Sequence, residues 1–203
     1  MAINQNKKTY IVFQGGHYKE EYACGYFFAP YLADSGMSIH HWGRLTELKP
    51  GDKVFHYNKG FIRAISTVTS TWFDWDRPMK NRNEEWEQNG RRVDCDPVFL
   101  DEPIKVSDYK EDIIKYRNEK YSAFNKNGEA NQGYLYELEP ELAAIFEKEA
   151  ERSMEISIGD VLTNSKISKA FGVGNMGGMR KSNANNCLVI ISDHTKGLYE
   201  DRC

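Results

Sequence analysis

Apolar residues along this chain fall in short runs, set apart by Gly, Pro, Asn or Asp, and only a few runs carry a helical period. Thr9–Phe13 is β-branched and aromatic and predicts a first strand that stops at Gln14-Gly15-Gly16. His17–Ala23 reads as a short helical or looped segment, and Gly25–Pro30 as an apolar strand or buried loop ended by its proline. After the Asp34-Ser35-Gly36 turn comes a polar-aromatic stretch, His40-His41-Trp42, and a second turn at Lys49-Pro50-Gly51-Asp52. Lys53–Tyr57 and Phe61–Val68 then predict two strands, and Asn58-Lys59-Gly60 between them is a hairpin signal with Gly60 free to take positive φ. Trp72–Pro78 reads as too polar and broken for a strand, and Asn83–Gln88 as a helical turn. Arg91–Leu100 alternates polar and apolar, as a half-buried strand does. Ser107–Lys120 predicts a helix capped by Ser107, with Asp108 and Glu111 near its positive end. A turn at Phe124–Gly128 and a strand over Gln132–Leu138 follow. A helix then starts at Pro140 and runs to about Arg152, with Leu142, Ile145, Phe146 and Ala150 on its inner stripe.

Past Ser153 the pattern changes. Ile156–Asn164 reads as an approach segment, Ser165–Phe171 as a short helix, Gly172–Met179 as a Gly-rich loop and Cys187–Ser192 as the most apolar strand of the chain. One strand and one short helix cannot bury a core. This tail is therefore expected to pack on the first domain, on a partner, or to belong to a domain completed elsewhere. The predicted organisation is a first domain over residues 1–152 and an incomplete second one over 153–203. Five or six strands at hairpin-like spacing, against three short helices, predict an α+β fold: a small twisted β-barrel with helices packed outside.

Composition sharpens this reading at three points. A length of 203 residues with 40% apolar and 28% charged side chains is that of a soluble globular protein able to fold without staples. The net charge of −3 gives no global basic excess, so any nucleic-acid contact rests on a local patch. The four cysteines form no CxxC pair, which argues against zinc and for free thiols in a reducing compartment. With no signal-peptide core and no apolar run of membrane length, a cytoplasmic location away from membranes is expected.

Chemistry-bearing motifs are few. Gly172-Val173-Gly174-Asn175-Met176-Gly177 fits GxGxxG, but a helix is expected before it and a strand after it, the reverse of a dinucleotide site. His40, His41 and His56 lack metal-ligand spacing, and adjacent histidines on a strand would face opposite ways. The acidic pairs, Glu20-Glu21 among them, read as solvated faces. Neither metal nor cofactor is expected, and no catalytic motif is present, so whether the chain belongs to an enzyme stays open.

The aromatic residues are the informative ones. Aromatics make up 13% of the chain, and three of its four Trp lie between positions 72 and 86. Trp42 precedes the hairpin, Tyr57 ends its first strand, and Trp72 and Trp75 follow its second. If these strand ends converge, their rings form a slot for a flat heterocycle, with Gln14, His41 and Asn58 available for its polar edge. Lys19, Arg44, Lys59, Arg63, Arg77, Lys80 and Arg82 surround the same region in sequence and are candidates for phosphate contact. The competing reading makes Trp42 and Tyr57 core residues and Trp72 a cap over them, and the residues alone do not separate the two.

A resemblance does. Gln14–Glu21, Gly25–Pro30, His41-Trp42 and Gly51–Tyr57, in this order and spacing, resemble EVE-type domains of the PUA-like superfamily, and Gln132–Leu135 fits the closing part of that module. More specifically, residues 9–150 look like the N-terminal modules of modification-dependent (type IV) HNH restriction endonucleases. In that group, and in the related YTH readers of methylated RNA, an aromatic cage holds a modified base taken out of its strand. The resemblance implies Trp42 as one wall and Trp72, Trp75 or Trp86 as another. Where the group has Leu-Trp-Ala-Pro, this chain has Phe27-Phe28-Ala29-Pro30, so Phe28 would keep a ring and lose the indole donor. Gly177–Ser182 through Asp201 resembles the opening of an SRA-like or sulfur-recognition-like domain. The implied function is recognition of double-stranded DNA carrying a modified base such as 5-methylcytosine, by base flipping, alongside a nuclease domain or subunit. The alternative is a PUA-like RNA-binding or nucleoside-sensing module.

Overall fold

The computed structural model describes residues 7–15, 18–33, 36–76 and 89–163, with backbone only for 18–20 and 154–163. Internal contacts divide the chain into Met1–Ser153 and Met154–Cys203. The expected Asn83–Gln88 turn, Ser165–Phe171 helix, GxGxxG loop and Cys187–Ser192 strand lie outside the described residues.

The first unit is α+β, built on a curled mixed sheet with helices outside it. Its strands are β1 (Thr9–Phe13), β2 (Tyr26–Pro30), β3 (Lys53–Asn58), β4 (Phe61–Val68), β5 (Phe73–Asp76), β6 (Asn89–Lys105) and β7 (Leu135–Glu137). The helices are α1 (Tyr18–Ala23), α2 (His40–Gly43), α3 (Lys110–Tyr116) and α4 (Pro140–Thr163, which belongs to this unit as far as Ser153), with 3-10 turns at Arg44–Glu47 and Val106–Tyr109. The strand order is β2-β6-β4-β3-β1-β7, and β5 also pairs with β6. Among the described residues only β1 and β3 run parallel, in register from Thr9↔Lys53 to Phe13↔Tyr57. The other pairs are antiparallel.

The long strand β6 bends the sheet. Its first half pairs with β2 and β5, and its second half with β4. Between Ile62↔Ile104 and Ala64↔Phe99 the register slips, leaving Leu100–Pro103 bulged out. A bulge increases local twist, and Pro103 has no N–H to lose from the ladder. The period-2 pattern then sorts the two faces. Tyr10, Val12, Phe27, Ala29, Val54, Val93 and Leu135 face one core with Leu45, Leu48 and Val68. The alternate residue Phe55 turns to the helices, where its ring meets Phe146 of α4 edge-on at 5.9 Å. Leu142, Phe146 and Ala150 form the buried stripe expected of α4, while Ile145 is half-buried.

Several expectations are corrected. Phe73–Asp76 is a strand, paired with β6 from Phe73↔Arg92 to Asp76↔Asn89. The Phe-Asp-Trp-Asp alternation carried that signal, and the partner strand supplies the ladder that local propensity does not. His40 and His41 sit on a helical turn rather than a strand. The helix expected to Lys120 stops at Tyr116, because Arg117 turns extended and the Asn118 N–H donates to Glu139 Oε1 at 2.8 Å. Ser107 bonds Asp108 instead of capping. The helix α4 continues through Thr163, across the expected approach segment. Glu21, read as a solvated acid, is 1% exposed. Cys95 is free and buried.

The hairpin is as expected. Asn58 pairs with Phe61 around two residues of positive φ, Lys59 at 48° and Gly60 at 88°, which is a type I′ turn. Lysine is strained there and asparagine is not, so Lys59→Asn is expected to raise unfolding free energy by on the order of 1 kcal/mol in urea titrations. A loss of stability would contradict the turn assignment.

Candidate functional site

The parallel pairing of β1 and β3 brings their C-terminal ends together. The Gln14 N–H donates to the Tyr57 carbonyl at 3.0 Å, which extends the ladder by one residue and turns the Gln14 side chain inward. There it joins a buried chain of hydrogen bonds. Gln14 Nε2 donates to Glu21 Oε2 at 2.7 Å, and Gln14 Oε1 meets His56 Nδ1 at 2.8 Å. His56 Nε2 meets Ser66 Oγ at 2.6 Å, and the Cys95 thiol bonds Ser66 in turn. From the other side the Tyr134 hydroxyl donates to Glu21 at 3.0 and 3.1 Å, and accepts the Phe28 N–H at 3.2 Å.

With Glu21 ionised, one proton arrangement satisfies these contacts. The opposite Gln14 amide orientation would set its oxygen against the Glu21 carboxylate, so Nε2 faces Glu21 and Oε1 faces His56. His56 then carries its proton on Nδ1, and Nε2 accepts from Ser66. Ser66, His56 and Gln14 each donate to the next, and both arms end on Glu21. Burial holds the fully enclosed His56 ring neutral, with its pKa lowered to about 3. Burial also pushes the Cys95 thiol up to about 12, which makes it inert, and burial together with Glu21 raises Tyr134.

Tyr134 is the hub. Its carbonyl accepts the Phe13 N–H at 2.7 Å, and its own N–H donates to His41 Nδ1 at 3.1 Å. His41 therefore keeps its proton on Nε2, with burial and neighbouring His40 lowering its pKa. Its ring stacks on Tyr136 at 6.3 Å. Asn58 Nδ2 donates to the Gln14 carbonyl at 2.6 Å and so fixes where the chain leaves β1.

A second feature lies on the strand face carrying Tyr26, Phe28, Arg92, Phe73 and Trp75, which the β2–β6–β5 register brings side by side. Trp75 meets Tyr26 at 5.2 Å and Phe28 at 5.5 Å. The Arg92 guanidinium lies 4.5 Å from the Tyr26 ring centre and 4.7 Å from that of Trp75, and its Nε donates to Asp94 Oδ1 at 2.7 Å. Arg91 covers Tyr31, whose hydroxyl donates to Asp74. At the rim Trp72 and Phe73 are 41% and 38% exposed.

The expected site residues divide between these places. Gln14 and Phe28 meet in the buried chain, the latter through its N–H, and Phe28 and Trp75 meet as rings. Neither Gln14 nor Phe28 is exposed. Trp42 is half-buried and packs on the inner core from α2. Tyr57 faces away from Gln14 and meets the edge of Phe13 at 4.8 Å. Tyr57 and Trp72 lie at opposite ends of the hairpin. Lys53 pairs with Thr67, so the exit toward Trp72 lies about 13 Å along β3 from Tyr57. In an antiparallel pair the end of one strand adjoins the start of the next, which is why they do not share one mouth.

Of the cations, Lys59 is exposed at the turn and Arg63 lies over Phe61 at 5.3 Å. Arg44 buries Nε and Nη1 without a partner among the described residues. The Lys19 side chain, Arg77, Lys80, Arg82 and Trp86 lie outside the described residues. Glu21, Tyr134 and Arg92 were missed. Only Arg92 left a signal, in its alternation with Asp94 along β6. Among the described residues no group of three or more His, Cys, Asp or Glu side chains could hold a metal ion, and no helix is long and apolar enough to cross a membrane.

Removing the hub hydroxyl takes one hydrogen-bond partner from the Phe28 N–H and one from Glu21. Tyr134→Phe is expected to cost about 1–3 kcal/mol in denaturant titrations, and a loss under about 0.5 kcal/mol would show the chain to be dispensable. Acid tests His56. The unfolded ring protonates near pH 6.5 and the folded one near pH 3, so the unfolded state binds more protons in between. Its contribution is present above about pH 6.5 and is lost as pH falls toward about 3. The expected loss is about 2 kcal/mol from pH 7 to pH 5. A folded His56→Gln variant should lack that component, and an identical pH profile in the two proteins would contradict the assignment.

No family model and no curated protein matches the sequence. Solved structures with a similar outline include a Pseudomonas putida protein of 11% identity and TM-score 0.45, the alignment covering 70% of this chain and 99% of that one. A YTH domain in complex with m6A aligns at 14% identity and TM-score 0.47, over 73% of this chain and 85% of its own. The YTH domain of a Zygosaccharomyces rouxii protein, in complex with N6-methyladenosine RNA, aligns at 12% identity and TM-score 0.46, over 74% and 90%. No residue role is transferred from them.

Proposed function

We propose that this chain is a non-catalytic reader of a modified base in double-stranded DNA, and that it serves as the recognition module of a type IV restriction system alongside a nuclease domain or subunit. The observation that carries the proposal is the aromatic–guanidinium face: Trp75 packed between Tyr26, Phe28 and Arg92, with Trp72 and Phe73 exposed at its rim. Exposed indole and phenyl faces on a strand anchored from beneath give a flipped base a preordered surface to stack on, at about 1–3 kcal/mol per base. Of the two arginines on the strand beside β5, Arg92 is paired with Asp94 and Arg91 lies over Tyr31 beside Asp74, so phosphate contact here falls to Arg91. The assignment to DNA and to restriction rests on the sequence resemblance.

Fluorescence anisotropy on duplexes differing in one base tests this: unmodified, 5-methylcytosine, 5-hydroxymethylcytosine and N6-methyladenine. One modified duplex is expected to bind more tightly than the unmodified one, with affinity falling steeply as salt rises. Trp72→Ala should weaken that binding roughly 5- to 150-fold while the circular dichroism and Tm stay as in the parent. Equal affinity for all duplexes would overturn the proposal, and salt-insensitive binding of a free nucleoside would favour a sensor.

A further inference from the structure

We propose that the His40–Tyr121 pair is a second stacking site, which takes an unpaired nucleobase of the bound nucleic acid; this rests on the nucleic-acid reading above. Tyr121 has φ +59°, in the left-handed region where a bulky side chain is strained. Its ring is 69% exposed, so burial does not offset that strain, and its hydroxyl has no partner among the described residues. One ring face stacks on His40 at 5.4 Å and 23°. The neighbouring chain is firmly held. Ser122, Ala123 and Phe124 are buried, and Asn131 Nδ2 donates to the Ser122 carbonyl at 2.9 Å. The Asn131 N–H donates to the Ala123 carbonyl at 2.9 Å, and Phe124 bridges Ala130.

A strained, exposed aromatic residue on a fixed anchor contributes nothing visible to the fold, and strain of this kind persists where a ligand uses it. The position adjoins the buried chain through α2. His40 opens α2, whose next residue, His41, is held by the Tyr134 N–H. Exposed Lys120 precedes Tyr121 in the chain and puts positive charge beside the platform. A flat uncharged ring flanked by phosphates matches these features, and the occupant assigned is a nucleobase left unpaired when its neighbour or partner is flipped out.

Asparagine adopts the left-handed conformation more readily than tyrosine and removes the ring. Tyr121→Asn is therefore expected to keep or raise Tm while weakening binding of the preferred modified duplex about five- to tenfold, and Tyr121→Phe should bind as the parent does. Abasic sites placed one at a time at the flanking nucleotides and opposite the modified base locate the ring's partner. At one position the parent should lose about five- to tenfold and Tyr121→Asn nothing further. A Tyr121→Asn protein that binds like the parent overturns the inference, as does one whose Tm falls by several degrees together with its binding. If preference for the modified duplex and its dependence on Trp72 persist while no abasic position couples to Tyr121, this inference alone fails.

Discussion

Donors from two distant parts of the chain converge on one buried carboxylate, and the architecture of the site depends on it. Glu21 receives the Gln14 amide from β1 and the Tyr134 hydroxyl from the approach to β7. Through them it is linked to His56 on β3, Ser66 on β4, Cys95 on β6, the Phe28 N–H on β2 and, by the Tyr134 backbone, His41 on α2. Each of these groups is costly to bury alone, and in a low-dielectric interior a satisfied chain is correspondingly specific. The packing of apolar faces brings the strands together. The polar chain defines how they are set relative to one another at the end where β1 and β3 finish.

This arrangement explains why the aromatic residues fall into two groups. The inner group closes the core, with Trp42 packed on it and Phe27 tilted 5.3 Å from His56. The outer group, on β2, β6 and β5, inherits its position from strands that the buried chain holds in place. Trp75 is clamped by three neighbours, and Trp72, just before β5, is 41% exposed. Rigid support beneath and open rings above is the combination that lets stacking energy go into binding rather than into ordering the surface.

Much of the scaffold was legible in the sequence because its signals are local. Asn58-Lys59-Gly60 forces the hairpin, Thr9–Phe13 has few alternatives to a strand, and Pro140 starts a helix whose apolar stripe repeats. What was not legible depends on distant partners. Phe73–Asp76 becomes a strand because β6 offers an edge, and the alternation of β6 itself is broken by Asp101-Glu102-Pro103, where the bulge falls. Glu21 resembles any helical surface acid until Gln14 and Tyr134 arrive from 7 and 113 residues away. Adjacency in sequence around a hairpin does not bring Tyr57 and Trp72 together, since they leave it at opposite ends.

The most direct measurement is a nitrogen-15 NMR titration that follows the five histidine rings and four tryptophan indoles as a duplex is added. His56 should appear as a neutral ring protonated on Nδ1 at pH 5, unchanged by DNA. The Trp72 indole should shift with the modified duplex and stay in place with its unmodified twin. A charged His56 at pH 5, or a Trp72 signal that responds to both duplexes alike, would contradict a surface held by the buried chain and used to read the modification.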